Sequence, residues 1–236
     1  MKILALDSSA VSASAALCED EALLAETFQN SGLTHSQTLL PMAERLLKDS
    51  GLTLDQVDLI AVANGPGSIT GLRIGVATAK GLAWAAQRPC AGCSTLESMA
   101  WSLAAFPGEV CAAMDARRSQ VYNARFRTDG QRPHRLTPDR AISLDDLIAE
   151  LQGTTVPQLV VGDGAALCCA ALTEAGIPAR MAPPNLRYQS AWGVARMALE
   201  LSRTGQTVSH NALCPVYHRL SQAERERKAK EQAAKA

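Results

Sequence analysis

The residues best suited to chemistry lie in one glycine-rich string, Asn64-Gly65-Pro66-Gly67-Ser68-Ile69-Thr70-Gly71-Leu72-Arg73-Ile74-Gly75. An apolar run at 58–63 precedes it and reads as a buried strand. A small-residue run at 76–87 follows and reads as a helix. Gly65 and Gly67 allow a turn that a side chain would obstruct, and Pro66 fixes one φ between them. Free N–H groups at a helix start can hold an anion, so the motif turn of Gly65, Pro66, Gly67, Ser68, Thr70 and Gly71 is either an anion site or a structural turn. It is not a P-loop, because no Gly-Lys-Ser/Thr ends it, and the spacing of Gly65, Gly67 and Gly71 is not Gly-x-Gly-x-x-Gly. A second glycine turn, Gly162-Asp163-Gly164-Ala165, reads as a nucleotide contact or a plain strand–helix connector. His35 has Leu39 four residues on, where a metal pair would need a second ligand, so it reads as a structural group near a helix start. Seven cysteines, odd in number and irregularly spaced, with a single Cys90-x-x-Cys93, predict reduced, buried thiols and a cytoplasmic protein. No Ser/His/Asp or metal-ligand spacing supports a peptidase.

The elements that must position these residues follow from periodicity. The chain has 236 residues, 47% hydrophobic and 19% charged, and a formal net charge of zero. That balance argues against a free-standing nucleic-acid binder, and no apolar run is long enough to span a membrane. Strands are predicted at 2–7, 11–17 and 22–28, with turns at 8–10 and 19–21. A helix at 35–48 carries Leu39, Leu40, Ala43, Leu46 and Leu47 at helical spacing. It either starts at Thr38, with Pro41 in its first turn, or kinks at Pro41. Ser94 and Glu97 form a capping box that opens a helix reaching about 105. Strands at 110–114 and 120–127, a helix from Ser143 toward 151, a strand at 158–161 and a helix ending near Gly176 make a second set. A last helix at 190–202 and an extended segment around Pro215-Val216-Tyr217 pack back on the first. The reading is a first lobe at 1–105 joined by 188–220, a second lobe at 106–187, and a charged, solvated helical tail at 221–236. The helix after the glycine turn has two small lines, Gly71/Gly75/Ala79/Ala83 and Ala77/Gly81/Ala85. One should meet the core and the other a partner.

The string at 65–75 followed by Ala79-Lys80-Gly81-Leu82-Ala83, the stretch His35-Ser36-Gln37-Thr38-Leu39-Leu40-Pro41, and Asp115-Ala116-Arg117-Arg118 before Val121-Tyr122 resemble the signature of the TsaB (YeaZ) family. The resemblance implies an α/β, two-lobed, actin-like fold of the Hsp70/actin/sugar-kinase superfamily. It implies a non-catalytic scaffold and dimerisation subunit that supports N6-threonylcarbamoyladenosine formation at position 37 of tRNAs reading codons that start with A. The implied partners are the transferase TsaD, the ATPase TsaE in a larger assembly, and a second copy of the chain when TsaD is absent, with tRNA met only through the complex. The partner face would come from the first two helices: His35, Leu39, Leu40, Met42, Leu46 and Leu47 on one, and Arg73, Ile74, Ala77, Lys80, Gly81 and Trp84 on the other. Asp7-Ser8-Ser9 resembles the superfamily's first phosphate loop, in which the Asp serves metal-bound phosphate, although Ser8-Ser9 stands where Gly-Thr is usual; a plain hairpin is the alternative. The implied cofactors are none for the isolated chain, with ATP or ADP and a metal possible in the complex. TsaD carries a segment resembling His-Met-Glu-x-His; here Thr95 and Met99 occupy the ligand places, which removes the metal pair. The rival readings are an actin-fold ATP-dependent transferase or kinase with its own site, and a peptidase-like member of the superfamily.

Overall fold

The computed structural model describes residues 1–218; the expected tail at 221–236 lies outside the described residues. Apolar residues alternate along the first strand, and that alternation organises the first half of the molecule. β1 (Lys2–Asp7) sends Leu4 and Leu6 to one face of a sheet and Ile3 and Ala5 to the other. With β2 (Ala13–Glu19), β3 (Ala22–Gln29), β4 (Leu59–Gly65) and β5 (Cys90–Ser94) it forms a five-stranded sheet in the order β3-β2-β1-β4-β5. β1 pairs antiparallel with β2 and parallel with β4. The hairpin loop is longer than expected: the second strand starts at Ala13, and Val11 is exposed.

Two helices cover one face. α1 (His35–Asp49) buries Leu39, Met42, Ala43, Leu46 and Leu47, and α2 (Ile69–Ala86) buries Val76, Ala79 and Ala83, all against Leu4, Leu6, Leu17, Ile60 and Val62. Each large side chain buried this way contributes about 1.5–3 kcal/mol. α1 starts at His35, as the bounds 35–48 anticipate, so of the two alternatives the start at Thr38 is the one ruled out and Pro41 lies inside the helix. One expectation is corrected: α2 begins at Ile69, so Thr70 and Gly71, expected in the motif turn, are helical and only Gly65–Ser68 turn. Ser68 caps α2 by accepting from the Gly71 N–H.

α6 (Ala191–Arg203) covers the other face, packing Ala191, Val194, Ala195, Ala198 and Leu199 on Ile3, Ala5, Ala16 and Ala61. α3 (Thr95–Ser102) crosses α6 so closely that a Cβ at Gly193 would stand 1.9 Å from the Ser98 carbonyl oxygen. α3 is shorter than expected and has half a capping box: Ser94 Oγ accepts from the Glu97 N–H, while the Glu97 carboxylate pairs with Arg135.

The second sheet runs β11 (Ala179–Met181), β10 (Gln158–Val161), β6 (Gly108–Asp115), β7 (Gln120–Thr128) and β8 (Pro133–Arg135), and β9 (Arg140–Ser143) also pairs with β7. α3 packs on one face through Leu96, Met99 and Ala100. α4 (Leu144–Leu151) and α5 (Ala165–Glu174) pack on the other through Leu147, Leu151, Cys168 and Leu172. All seven cysteines are free thiols, five of them buried. Among the described residues no helix is long and apolar enough to cross a membrane.

Candidate functional site

Two regions gather the residues singled out from the sequence: a cleft at the ends of the two sheets, and the outer face of α1 and α2. The cleft, about 340 Å³, is lined by Ser9, Ala10 and Val11 of the first hairpin, Gly67, Ser68 and Ile69 of the glycine turn, Met114 to Arg117 and Tyr122 of the β6–β7 hairpin, and Asp163. Asp7 stands behind it. Its Oδ1 accepts from the Ser9 N–H (2.8 Å) and Ser9 Oγ (2.6 Å), while its Oδ2 is buried with no hydrogen-bond partner among the described residues. Burial pushes the Asp7 carboxyl up to about 6, against the pull of the two Ser9 hydrogen bonds. Burial also raises Asp163, whose Oδ1 accepts from Gln189 Nε2 at 3.0 Å. His35 Nε2 donates to the Ala10 carbonyl at 2.7 Å, which ties the start of α1 to the same loop.

The glycines of the long string fit this hairpin rather than an anion. A Cβ at Gly67 would stand 2.4 Å from Ser9 O, at Gly71 2.0 Å from Ser8 O, and at Gly75 2.6 Å from Ser8 Oγ. Only glycine lets α2 approach so near. The contact is sealed by Ser68 N–H to Ser9 O (2.7 Å) and Ser8 Oγ–H to Gly71 O (2.9 Å). Gly65, at φ 144°, lies against the Val216 carbonyl, and a cis peptide joins it to Pro66. The N–H groups of Ser9, Ser68, Gly71 and Arg117 are committed within the chain, and three carboxylates, Asp7, Asp115 and Asp163, gather about the cleft, where the exposed Arg117 is the one cationic side chain among the described lining residues.

The places where a metal pair would stand are sealed. Thr95 is fully buried with an unpartnered hydroxyl, and Met99 packs in the core with Leu96 and Phe126. Among the described residues no group of three His, Cys, Asp or Glu side chains is placed to hold a metal ion.

On the outer face the two small lines of α2 separate cleanly. Gly71, Gly75, Ala79 and Ala83 face the core, and Ala77, Gly81 and Ala85 face outward. Trp84 is 64% exposed and Leu40 of α1 41%. Leu40, Ala77, Thr78, Gly81 and Leu82 line a shallow apolar groove of about 380 Å³ between the helices. Four expected partner residues are corrected: Leu39, Met42, Leu46 and Leu47 point into the core, because α1 needs that whole stripe to cover β1 and β2. Ile74 is partly buried against the same core. Lys80 Nζ donates to the Leu213 carbonyl (3.1 Å), and Arg73 Nε donates to Tyr217 Oη (3.0 Å) with its guanidinium over that ring. The segment 213–217 thus straps the start of α2, and its Val216 N–H bonds Asn64 O at 2.7 Å. Gln189 and Leu213 carried no local sequence signal; only the distant contacts reveal them.

Comparison with known proteins adds three findings. The family model described as "TsaD: tRNA N6-adenosine threonylcarbamoyltransferase" matches residues 28–225. The tRNA threonylcarbamoyladenosine biosynthesis protein TsaB of Escherichia coli is 32% identical over 93% of this chain and 95% of its own length; that of Bacillus subtilis is 34% identical over 71% and 73%. A crystal structure from Pseudomonas aeruginosa, described as an uncharacterized protein with similarity to peptidase YeaZ, superposes with a TM-score of 0.79 at 27% identity, covering 92% of this chain and 99% of that one. The two-sheet α/β fold is shared, at 10 and 12% identity and TM-scores of 0.50 and 0.51, with the ethanolamine utilization protein EutJ of Carboxydothermus hydrogenoformans and the (R)-2-hydroxyglutaryl-CoA dehydratase component A of Acidaminococcus fermentans.

Proposed function

Because the chain belongs to the TsaB family and so to threonylcarbamoyladenosine biosynthesis, we propose that it acts there as a non-catalytic subunit that docks on the transferase TsaD through the outer face of α1 and α2. The observation that carries this reading is the outward line Ala77, Gly81 and Ala85 beside the exposed Trp84 and Leu40. Small residues let a partner helix approach closely, and an exposed tryptophan at the edge of an apolar groove is a typical anchor of binding energy. The inward line already serves the core, and the second line is exposed among the described residues. The non-catalytic half of the proposal draws on Thr95 and Met99, both closed off from solvent where a metal pair would stand, and on a cleft whose hairpin donors are spent internally. The chain would pair with itself through the same face when TsaD is absent, and TsaE and tRNA would be met through the complex.

The test is transfer of the threonylcarbamoyl group to unmodified tRNA. With an activated threonylcarbamoyl donor present throughout, purified chain alone should give no modified tRNA, TsaD alone little, and the two together sustained turnover with TsaE and ATP supplied. Turnover by the TsaD-free chain would overturn the proposal.

A further inference from the structure

A second concavity, of about 380 Å³, lies where α3, α6, the β2–β3 turn and the β7–β8 turn meet; it belongs neither to the cleft nor to the α1–α2 face. α6 and α2 lie on opposite faces of the first sheet. Its lining is Glu21, Trp101, Gln131, Arg132, Arg196, Glu200 and Arg203. Trp101 is only 6% exposed, and its indole Nε1–H is buried with no acceptor among the described residues. Arg196 Nη1 is likewise buried without a hydrogen bond; its nearest carboxylate oxygen, Glu21 Oε1, stands 3.6 Å away. The guanidiniums of Arg132 and Arg196 lie 5.8 and 5.4 Å from the Trp101 ring centroid.

The charges are arranged but not balanced. Glu200 holds Arg132 at 3.0 Å and Arg203 at 2.8 Å, and Glu21 reaches Arg203 at 3.4 Å. Among the described lining residues three guanidiniums therefore face two carboxylates, leaving one surplus positive charge. A neutral acceptor such as water could satisfy an N–H group, but it would leave that charge unanswered. Two buried donors without acceptors and a surplus cation together call for an anion. Donors that come from separate helices and a turn suit an anion with acceptors in several directions, as a tetrahedral phosphate has, better than a planar carboxylate.

We propose that this concavity, walled by Trp101, Arg132, Arg196 and Arg203, is an oxyanion site that takes a phosphate group. Glu21 and Glu200 hold the guanidiniums in place, and Trp101 and Arg196 supply the buried donors. The phosphate is either free or part of a nucleic-acid backbone, since the chemistry recognised is the same.

Nuclear magnetic resonance reads the site directly. The chain has three tryptophans, so three indole N–H signals are expected, with Trp101 assigned through Trp101→Phe and Trp84 as a control on the opposite face of the first sheet. Inorganic phosphate is titrated into the full chain against sodium chloride at matched ionic strength. The Trp101 signal should move and saturate with phosphate while Trp84 stays still. Arg132→Gln and Arg203→Gln replace half-exposed arginines, and each should weaken the response about tenfold or more while the melting temperature stays near the parent's. A short RNA duplex without terminal phosphates distinguishes the sources. If it moves Trp101 at lower concentration than inorganic phosphate does, the ligand is backbone phosphate; if inorganic phosphate alone moves it, the ligand is free phosphate. The proposal is overturned if Trp101 moves no more than Trp84, if chloride moves it equally, or if both glutamine variants respond like the parent.

Discussion

Alanine substitutions at Gly71 and Gly81 place the same change in the same helix and should have opposite effects. At Gly81 nothing lies within 4 Å of the added methyl, and the residue is helical, so alanine should stabilise by about 1 kcal/mol through helix propensity alone. At Gly71 the methyl would stand 2.0 Å from the Ser8 carbonyl oxygen, where ordinary contact begins at 3.4 Å. Backbone lies on both sides of that contact, so the hairpin and α2 must part by more than an ångström. Parting them breaks the hydrogen bonds Ser8 Oγ–H to Gly71 O and Ser68 N–H to Ser9 O. Two such bonds amount to about 2 kcal/mol, and overpacking adds about 1–3. Offset by the same propensity gain of about 1, the net loss is about 2–4 kcal/mol. Urea unfolding followed by circular dichroism measures both variants. The midpoint should fall by about 1 M for Gly71→Ala and rise for Gly81→Ala. If Gly71→Ala were as stable as the parent, close packing on the hairpin could not be the reason for the glycine string, and its role would have to be a ligand's.

Two further perturbations separate surface from core and test the buried carboxylate. Leu39→Ala should cost about 2–5 kcal/mol and Leu40→Ala less than about 0.5, because the first side chain is fully buried and the second lies outward; equal losses would contradict the assigned faces of α1. Asp7 titrates near 6 in the fold against 3.8 for the free carboxyl, so between those values the folded chain holds a proton that the unfolded chain has lost. Its contribution to stability therefore falls as pH rises through about 6, by about 3 kcal/mol in all. Asp7→Asn should remove that fall, bringing a gain over the parent at pH 8 that shrinks toward pH 4 in denaturation curves; a difference independent of pH would show that Asp7 is ionised throughout.

The strands of the first sheet and β6, β7 and β10 were legible because their apolar runs are long and regular. β8, β9 and β11 were not, since three or four residues such as Pro133–Arg135 hold too little pattern to outweigh their flanking turns. The boundary between turn and helix was blurred because Thr70 and Gly71 fit the glycine turn as well as the helix; in the fold both are helical, and the poor propensity of Gly71 is offset by a packing contact 63 residues away in sequence. Periodicity showed that α1 carried a broad apolar stripe without showing which side covered it, so Leu39, Met42, Leu46 and Leu47 were assigned outward although the sheet takes all four. Two small lines on α2 were visible, and only the structure shows that Ala77, Gly81 and Ala85 form the outward one. The environment of Asp7 is set first by its burial, with Asp163, far along the chain, adding the smallest effect, and no local motif reveals either.

Binding of Gly81→Arg to TsaD tests the central claim most directly. The residue is exposed, with open space about it, so arginine should leave the monomer folded, as circular dichroism would verify. If the outward line of α2 is the docking face, the guanidinium is buried unpaired in the complex at a cost of about 3–5 kcal/mol, which weakens association about 150- to 5,000-fold. Isothermal titration of TsaD with parent and variant reads the change. The account expects a folded variant that no longer binds at concentrations saturating the parent; a folded variant with unchanged affinity would contradict it and place the interface elsewhere.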